Sequence, residues 1–259
     1  MNPPLRLTHD GPLAILILDS PPLNLFDLAM WDAWEAAVTR LSADPPRAVL
    51  VRAEGRVVSA GVDVRVFADT DPAAAEAFWA RRLRIAQDLE ALPCPTVFAA
   101  HSLTLTAAFE LALACDLIVA TPAARFGLVE RKVAFTPSMG GTQRLAGRAG
   151  PGRARELVLT GDLYRAATLA EWGVVNALFP PAGFAEAVHG YAMRLAAGPP
   201  RAHAATKRVV RAFVDGGVAA ADALVPPVAA ALVRTEDHRA AVAAFLSDGP
   251  DHTTTYLGR

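Results

Sequence analysis

Short apolar runs of β-prone residues alternate with helix-like segments over the first 120 residues, and this alternation constrains the fold more than any other feature. The runs lie at residues 13–18, 48–52, 96–100 and 117–120, each bounded by turn or charged residues. Between them, apolar residues recur three and four positions apart, at Leu28, Trp31, Trp34, Val38 and Leu41 and again at Phe78, Leu83, Ala86, Leu89 and Leu92. Strands separated by helices predict an α/β fold with buried strands.

The rest of the chain is predicted to be mostly helical. A third, almost wholly apolar helix is expected over residues 105–115, immediately before the last predicted strand. Beyond residue 150 the β-prone runs give way to helical patterns at residues 153–159, 168–172, 185–196, 206–214 and 219–232. Since the sequence has neither a fixed-period repeat nor a long linker, we expect one continuous unit that ends in a helical extension.

Composition narrows the possible partners. The 259 residues are 53% hydrophobic with a mean hydropathy of +0.28, which suggests apolar surface buried between subunits. With 25 basic and 26 acidic residues, the formal net charge of −1 gives no overall field that favours nucleic acid or an anionic membrane. Cys94 and Cys115 lack the spacing of a metal site or a disulfide framework. We find no signal-peptide pattern and no apolar run near the roughly 20 residues of a membrane span, so a cytoplasmic protein is expected.

Two glutamates are candidates for chemistry. Glu110 lies within the apolar helix predicted at residues 105–115, where an ionised carboxylate is costly unless a partner or a solvated cavity compensates it. Position alone leaves open a structural hydrogen bond and a functional acid. Glu130 precedes Arg131 and Lys132, and these residues alone favour a solvated surface ion pair.

Two segments of small residues are candidates for binding a ligand oxygen through backbone N–H groups. Residues 57–63 leave a short strand through Ser, Ala and Gly, and Asp63 is placed to cap a following helical turn. Residues 106–108 open the helix that carries Glu110, where N–H groups lack intrahelical partners at the positive end of the helix dipole. Two such donors that meet at one carbonyl oxygen form an oxyanion hole.

Several short motifs follow one another along almost the whole chain. They are SAGVD at residues 59–63, AAFEL at 107–111 with Cys115 and Asp116, FGLVE at 126–130 and GGTQRL at 140–145. Further motifs are LVLTG at 157–161, WGVVN at 172–176 and YLGR at 256–259. In order and spacing, this set resembles the crotonase (enoyl-CoA hydratase/isomerase) family.

The resemblance implies a fold that periodicity alone does not supply. It implies an α/β, crotonase-like spiral of ββα repeats over residues 1–195 and a C-terminal helical trimerisation region at residues 196–259, the two forming one functional unit. It further implies a homotrimer or hexamer.

The same resemblance implies roles for individual residues. Glu110 and Glu130 match the two carboxylates of hydratases, while Val62 and Ala107 match the positions whose N–H groups form the oxyanion hole. The substrate implied is an acyl-CoA thioester, with no metal and no cofactor apart from the coenzyme A that the substrate carries. The substrate-binding residues implied are Ala60, Val62, Asp63, Val64 and Ala107.

Because both acid positions are glutamate, an enoyl-CoA hydratase is the first expectation. A double-bond isomerase that uses Glu130 alone, and another chemistry such as thioester hydrolysis, are alternatives. Residues 106–109 contain no glycine where the family usually has several, so a non-catalytic acyl-CoA-binding subunit is an alternative of another class. The added methyl groups and Val62 are expected to reshape the acyl pocket, towards a larger, branched or unusual acyl group.

Overall fold

The computed structural model describes residues 3–68, 70–251 and 253–259, and two sheets organise this part of the chain. The strands are β1 (Leu5–Asp10), β2 (Leu13–Leu18), β3 (Ala48–Ala53), β4 (Thr96–Ala100), β5 (Thr104–Leu105), β6 (Leu117–Ala120), β7 (Arg125–Gly127), β8 (Tyr164–Arg165) and β9 (Ala177–Leu178). The larger sheet has the order β1-β2-β3-β4-β6-β9, with β1 antiparallel to β2 and all other pairs parallel. The smaller sheet has the order β5-β7-β8.

Helices connect the strands and form the C-terminal third. They are α1 (Leu28–Ala43), α2 (Arg65–Ala68), α3 (Ala75–Ala91), α4 (Ala107–Ala114), α5 (Gly141–Thr160), α6 (Ala166–Glu171), α7 (Phe184–Ala196), α8 (Pro200–Val233) and α9 (Glu236–Asp248), with a 3-10 helix at Glu130–Val133. The mixed α/β class predicted from the alternation is therefore confirmed.

The four predicted strands correspond to β2, β3, β4 and β6. Their residues are almost all buried, because helices cover both faces of the parallel part of the sheet. The antiparallel strand β1 was not predicted. Its sequence LRLTHD mixes apolar and polar residues and becomes exposed towards its end, so it forms no continuous apolar run.

Several helix boundaries differ from the predictions. Helix α4 begins at Ala107 rather than at residue 105, because Leu105 pairs with β7 in the smaller sheet. The two helices predicted at residues 206–214 and 219–232 form one helix, α8, with a kink at Gly217, where φ is 73°. Helix α5 begins twelve residues before its predicted start at residue 153, and it bends at Gly150.

Two apolar layers hold the larger sheet in place. One face packs against α1, α3 and α4 through side chains that include Trp31, Trp34 and Leu89. The opposite face packs against α7 through Val188 and Ala192. Each fully buried large apolar side chain contributes about 1.5–3 kcal/mol relative to its exposed state, so these layers fix α4 firmly against the sheet.

The C-terminal helices leave a large apolar surface exposed on the single chain. Exposed side chains on α8 and α9 include Val210, Phe213, Val214, Val218 and Leu246. By length and composition, α8 also qualifies as a membrane-crossing helix, with a window mean hydropathy of 1.6 and 6% of that window buried. Asp222 interrupts the apolar residues of α8, so this helix contains no continuous apolar run of about 20 residues.

Candidate active site

Glu110 is buried in the centre of the fold and is held by two backbone N–H groups. All eight residues of α4 are buried, and Glu110 is only 2% exposed. Its Oε1 atom accepts hydrogen bonds from the N–H of Met139 at 2.8 Å and of Gly141 at 2.9 Å. These two donors are the compensation that a carboxylate in an apolar helix requires.

The two donors come from the N-terminus of α5, which suits a negative charge. Gly140 adopts the left-handed conformation, with φ at 88°, and turns the chain into the helix at Gly141. The positive end of the helix dipole lies here, next to the Glu110 carboxylate. Gly141 also lets the helix approach closely, because a Cβ atom there would lie 2.7 Å from Glu110 Cγ.

Glu130 is buried as well, but it lacks such donors. It opens the 3-10 helix Glu130–Val133 and is 6% exposed. Among the described residues, neither oxygen of its carboxylate has a hydrogen-bond partner. The neighbouring Arg131 points elsewhere, since its Nη1 donates to the carbonyl of Thr160 at 2.8 Å. The interpretation of Glu130 as a solvated surface ion pair is therefore wrong.

The two carboxyl groups have raised pKa values for related reasons. Burial raises the pKa of Glu110 to about 7, and the N–H groups of Gly141 and Met139 oppose this rise. Burial and then the negative charge of Glu110 raise the pKa of Glu130 to about 8. The two backbone N–H bonds favour the ionised form of Glu110, whereas burial without such donors and the nearby charge of Glu110 favour the protonated form of Glu130.

The two segments of small residues meet at the start of α4. The Ser59 N–H donates to the Leu103 carbonyl at 3.0 Å, and the Leu105 N–H donates to the Ser59 carbonyl at 3.1 Å. The Val62 N–H donates to Thr106 Oγ1 at 3.0 Å. Ala107 is the first residue of α4 and is completely buried, so its N–H lies at the helix end where intrahelical acceptors are lacking.

Asn24 supports this arrangement and was not identified from the sequence. It is 3% exposed, and its Nδ2 donates to the carbonyls of Glu54, Val57 and Val58 at 3.0–3.1 Å. Its own carbonyl accepts from Ser59 Oγ at 2.7 Å. The only signal in the sequence is a single amide residue within the apolar stretch PLNLF.

The other predicted substrate-binding residues flank Val62. Asp63 is buried, and its Oδ1 accepts from the N–H of Arg65 at 3.0 Å, which confirms the predicted cap of the following helical turn. The N–H of Ala60 donates to the Leu23 carbonyl at 2.9 Å, and Val64 is 61% exposed. A substrate-binding role for these residues stays a prediction.

A cavity of about 400 Å³ opens beside this loop. Residues from the start of α1, from α2 and from α3 line it, including Asp27, Asp63, Arg65 and Phe78. Glu110 and Glu130 are not among the residues that line the cavity. In the described part of the chain, we find no group of three or more His, Cys, Asp or Glu side chains arranged to hold a metal ion.

Three aromatic rings, from α2, α3 and the segment after the 3-10 helix, pack against one another near the cavity. Phe67 stacks on Trp79 with ring centroids 5.5 Å apart, and Phe135 contacts both rings at 5.1 and 5.0 Å. The Phe135 N–H donates to the Glu130 carbonyl at 3.1 Å, which ties the cluster to the 3-10 helix. The cluster therefore forms an apolar wall beside the 3-10 helix that Glu130 opens.

Comparisons with known proteins converge on one family and one fold. The family described as "Enoyl-CoA hydratase/isomerase" matches residues 9–252. A carnitinyl-CoA dehydratase from Salmonella arizonae is 31% identical over 84% of each chain. An enoyl-CoA hydratase subunit I structure from Geobacillus kaustophilus is 31% identical, with a TM-score of 0.90 over 99% of this chain and 98% of that one. An enoyl-CoA hydratase structure from Mycobacterium smegmatis is 26% identical, with a TM-score of 0.88 over 95% and 96% of the two chains. The predicted crotonase-like fold is therefore confirmed.

Proposed function

Since the chain belongs to the enoyl-CoA hydratase/isomerase family and is an enzyme of the hydratase or isomerase type, we propose that it adds water across the 2,3 double bond of a 2-enoyl-CoA thioester. The observation that carries this proposal is the unequal hydrogen bonding of two buried carboxylates. Glu110 accepts two backbone N–H bonds, and Glu130 accepts none among the described residues. Hydration needs one group that takes a proton and one that gives a proton, and this pair supplies both.

In the proposed reaction, a water molecule lies between the two carboxyl groups and next to the substrate double bond. The ionised Glu110 accepts a proton from the water, and the water oxygen forms a bond to the β-carbon. The π electrons move towards the thioester, and the α-carbon takes the proton of Glu130. Glu110 then carries a proton and Glu130 is ionised, so one proton transfer between them restores the enzyme. The same steps in reverse eliminate water from a 3-hydroxyacyl-CoA thioester. The name of the carnitinyl-CoA dehydratase relative describes such a dehydration.

Negative charge gathers on the thioester oxygen as the water adds. The loop at Val62 lies against the start of α4, since the Val62 N–H donates to Thr106 Oγ1, and we propose that hydrogen-bond donors of these two segments bind the thioester oxygen. Fixed donors in a site without bulk water stabilise such a charge strongly, and the loss of one commonly costs about 10²–10³ in kcat. The reaction uses side chains and backbone alone, so we propose no cofactor apart from the coenzyme A of the substrate.

The substrate is expected to differ from a small linear enoyl thioester. The residues before Glu110 are Thr106, Ala107, Ala108 and Phe109, and all four are buried. Their side chains take up space next to the reacting carbons. We propose that the acyl group turns instead towards the aromatic wall of Phe67, Trp79 and Phe135, while the cavity of about 400 Å³ admits the coenzyme A arm.

A turnover panel tests this proposal. The protein is mixed with 2-enoyl-CoA thioesters of increasing length and branching, and loss of the conjugated-thioester absorbance is followed. We expect Glu110→Gln and Glu130→Gln each to lower kcat by at least about 10². Glu156→Gln is the matched control, because Glu156 is an exposed carboxylate paired with Arg153. A Glu110→Gln protein that hydrates as fast as the parent would disprove the role of this base.

Analysis of the reaction products distinguishes the alternative functions. A double-bond isomerase converts 3-enoyl thioesters into 2-enoyl thioesters and retains activity without Glu110. Thioester hydrolysis releases a free coenzyme A thiol, which a thiol reagent detects. Tight binding of acyl-CoA without turnover of any thioester in the panel would favour a non-catalytic binding subunit.

We also propose that the chain assembles as a homotrimer or hexamer through its C-terminal helices. The support is the apolar surface of α8 and α9, where Phe213 is 53% and Leu246 is 80% exposed on the single chain. Burial of this surface between copies would remove it from water. Sedimentation velocity of the parent and of Phe213→Asp measures the assembly, and a monomeric parent would contradict it.

We propose a reducing cytoplasmic location for the protein. The two buried free thiols, Cys94 and Cys115, suit such a location.

A further inference from the structure

Thr106 adopts an unusual backbone conformation at the start of the helix that carries Glu110. Its φ and ψ are 48° and −120°, a region that β-branched residues rarely occupy. Its N–H donates to the Gly127 carbonyl at 2.9 Å, and its carbonyl accepts the Glu110 N–H at 2.8 Å. The backbone is thus fixed at both ends, and a threonine there imposes strain that a glycine would not.

The side chain of Thr106 is engaged with the other oxyanion segment. Its Oγ1 accepts the Val62 N–H at 3.0 Å. Its side chain also packs on Gly61, where a Cβ atom would lie 2.7 Å from Thr106 Oγ1 and 3.3 Å from its Cγ2. The Val62 N–H is therefore directed at a hydroxyl and not at an open position for a substrate oxygen.

The hydroxyl of Thr106 still has a proton to donate. A hydroxyl has one O–H donor and two acceptor lone pairs, and the bond from the Val62 N–H uses only a lone pair. Within the described residues, we find no protein oxygen that accepts the hydroxyl proton. Thr106 is 6% exposed, so bulk water has little access to it. A buried donor without an acceptor is costly, and a ligand oxygen would satisfy it.

We propose that the Thr106 hydroxyl, with the Val62 N–H behind it, is the group that donates to the thioester oxygen. This inference rests on the proposed function. The N–H of Val62 polarises the hydroxyl and makes it a stronger donor, as in other chains of hydrogen bonds. The N–H of Ala107 is the second donor, at the N-terminus of α4. The proton stays on Oγ1 throughout, so Thr106 stabilises the developing charge without taking part in proton transfer.

Three substitutions at one position test this role. We expect Thr106→Ser to keep kcat within about 10-fold of the parent, because it retains the hydroxyl. We expect Thr106→Val and Thr106→Ala each to lower kcat by about 10²–10³ with a smaller change in KM, because the donor acts mainly on the charge of the transition state. Thr121→Val is the matched control, since Thr121 is 4% exposed and its hydroxyl donates to the His101 carbonyl at 3.0 Å. Thermal unfolding of all four variants shows which of them are folded.

The outcomes distinguish the inference from its rivals. A higher kcat in Thr106→Ala would mean that the hydroxyl only blocks the Val62 N–H, and it would overturn the inference. Parental kcat in Thr106→Val would overturn it as well. The inference fails and the proposed function stands if the parent hydrates 2-butenoyl-CoA, the Glu110→Gln variant does not, and the Thr106→Val variant keeps the parental rate.

A spectroscopic measurement works even without turnover. The C=O stretch of 2-butenoyl-CoA bound to Glu110→Gln is recorded by Raman difference spectroscopy, with and without Thr106→Val. A hydrogen bond from Thr106 lowers this frequency, so we expect it to rise in the double variant. An unchanged frequency would refute the bond, whatever reaction the parent catalyses.

Discussion

Replacement of Gly141 by alanine is expected to damage the site without damaging the fold. Gly141 is the first residue of α5, and its N–H holds Glu110 Oε1 at 2.9 Å. An added Cβ atom would lie 2.7 Å from Glu110 Cγ and 3.1 Å from its Oε1. Ordinary carbon contacts lie at about 3.5–4.0 Å, so the helix start or the Glu110 side chain must move by about 1 Å.

A displacement of this size has a calculable cost for catalysis. A misplacement of about 1 Å in a reacting group commonly lowers the rate about 10²-fold, which corresponds to about 2.7 kcal/mol in the activation free energy. The lost or lengthened N–H bond also removes one of the interactions that hold down the pKa of Glu110. We therefore expect Gly141→Ala to lower kcat about 10²-fold and to move the acid limb of the pH profile to higher pH.

Gly147→Ala is the matched control for this experiment. Gly147 lies in the same helix, α5, and a Cβ atom there meets nothing within 4 Å. The change should stabilise the protein by about 0.5–1 kcal/mol through helix propensity and leave kcat unchanged. Urea unfolding and turnover of 2-enoyl-CoA measure both variants. Parental kcat and a parental acid limb in Gly141→Ala would refute the argument that the contact with α5 sets the position and the charge of Glu110.

Three further predictions follow from charge and burial. The pH profile of kcat/KM should be a narrow bell, because the proposed reaction needs Glu110 ionised, above about pH 7, and Glu130 protonated, below about pH 8. A flat profile from pH 6 to 9 would contradict this prediction. Glu130→Gln should raise the free energy of unfolding at pH 9 by a few kcal/mol, because at that pH the folded parent carries the cost of an ionised, buried Glu130. Below about pH 4 the carboxyl group is protonated in both the folded and the unfolded parent, so the gain should vanish. Urea unfolding at both pH values measures it, and an equal gain at both would exclude ionisation as the cause. Asp237→Ala should lower stability by about 1–3 kcal/mol in thermal unfolding, because the buried Asp237 accepts the N–H groups of Leu257 and Gly258 at 2.6 and 2.8 Å; Asp251→Ala, an exposed change, should have no effect.

The sequence predicts the parts of the fold that bury a continuous apolar pattern. The runs of β2, β3, β4 and β6 were recognised because a parallel strand covered on both faces needs apolar residues at every position. Strands β5, β8 and β9 have only two residues each, and no periodicity exists over that length. The start of helix α4 was predicted two residues too early, because Leu105, the one apolar residue of β5, continues the apolar pattern of the helix.

The candidate site depends on contacts that no local pattern contains. Glu110 was recognised as an acid in an apolar helix, but its partners Met139 and Gly141 lie 29 and 31 residues further along the chain. Glu130 was interpreted as a surface residue because its sequence neighbours are basic, whereas its own side chain turns inward. The motif spacing identified both residues, but only the geometry distinguishes the environment of one from that of the other.

The difference between the two carboxyl groups depends on one short segment. Burial is the largest cause of both raised pKa values, and the N–H groups of Gly141 and Met139 oppose its effect at Glu110. If both groups had such donors, both would ionise, and the site would contain two repelling charges and no acid. The N-terminus of α5 donates to Glu110 and leaves Glu130 without a donor among the described residues. In the proposed mechanism, the turn at Gly140 therefore gives the two buried carboxyl groups their different roles as base and acid.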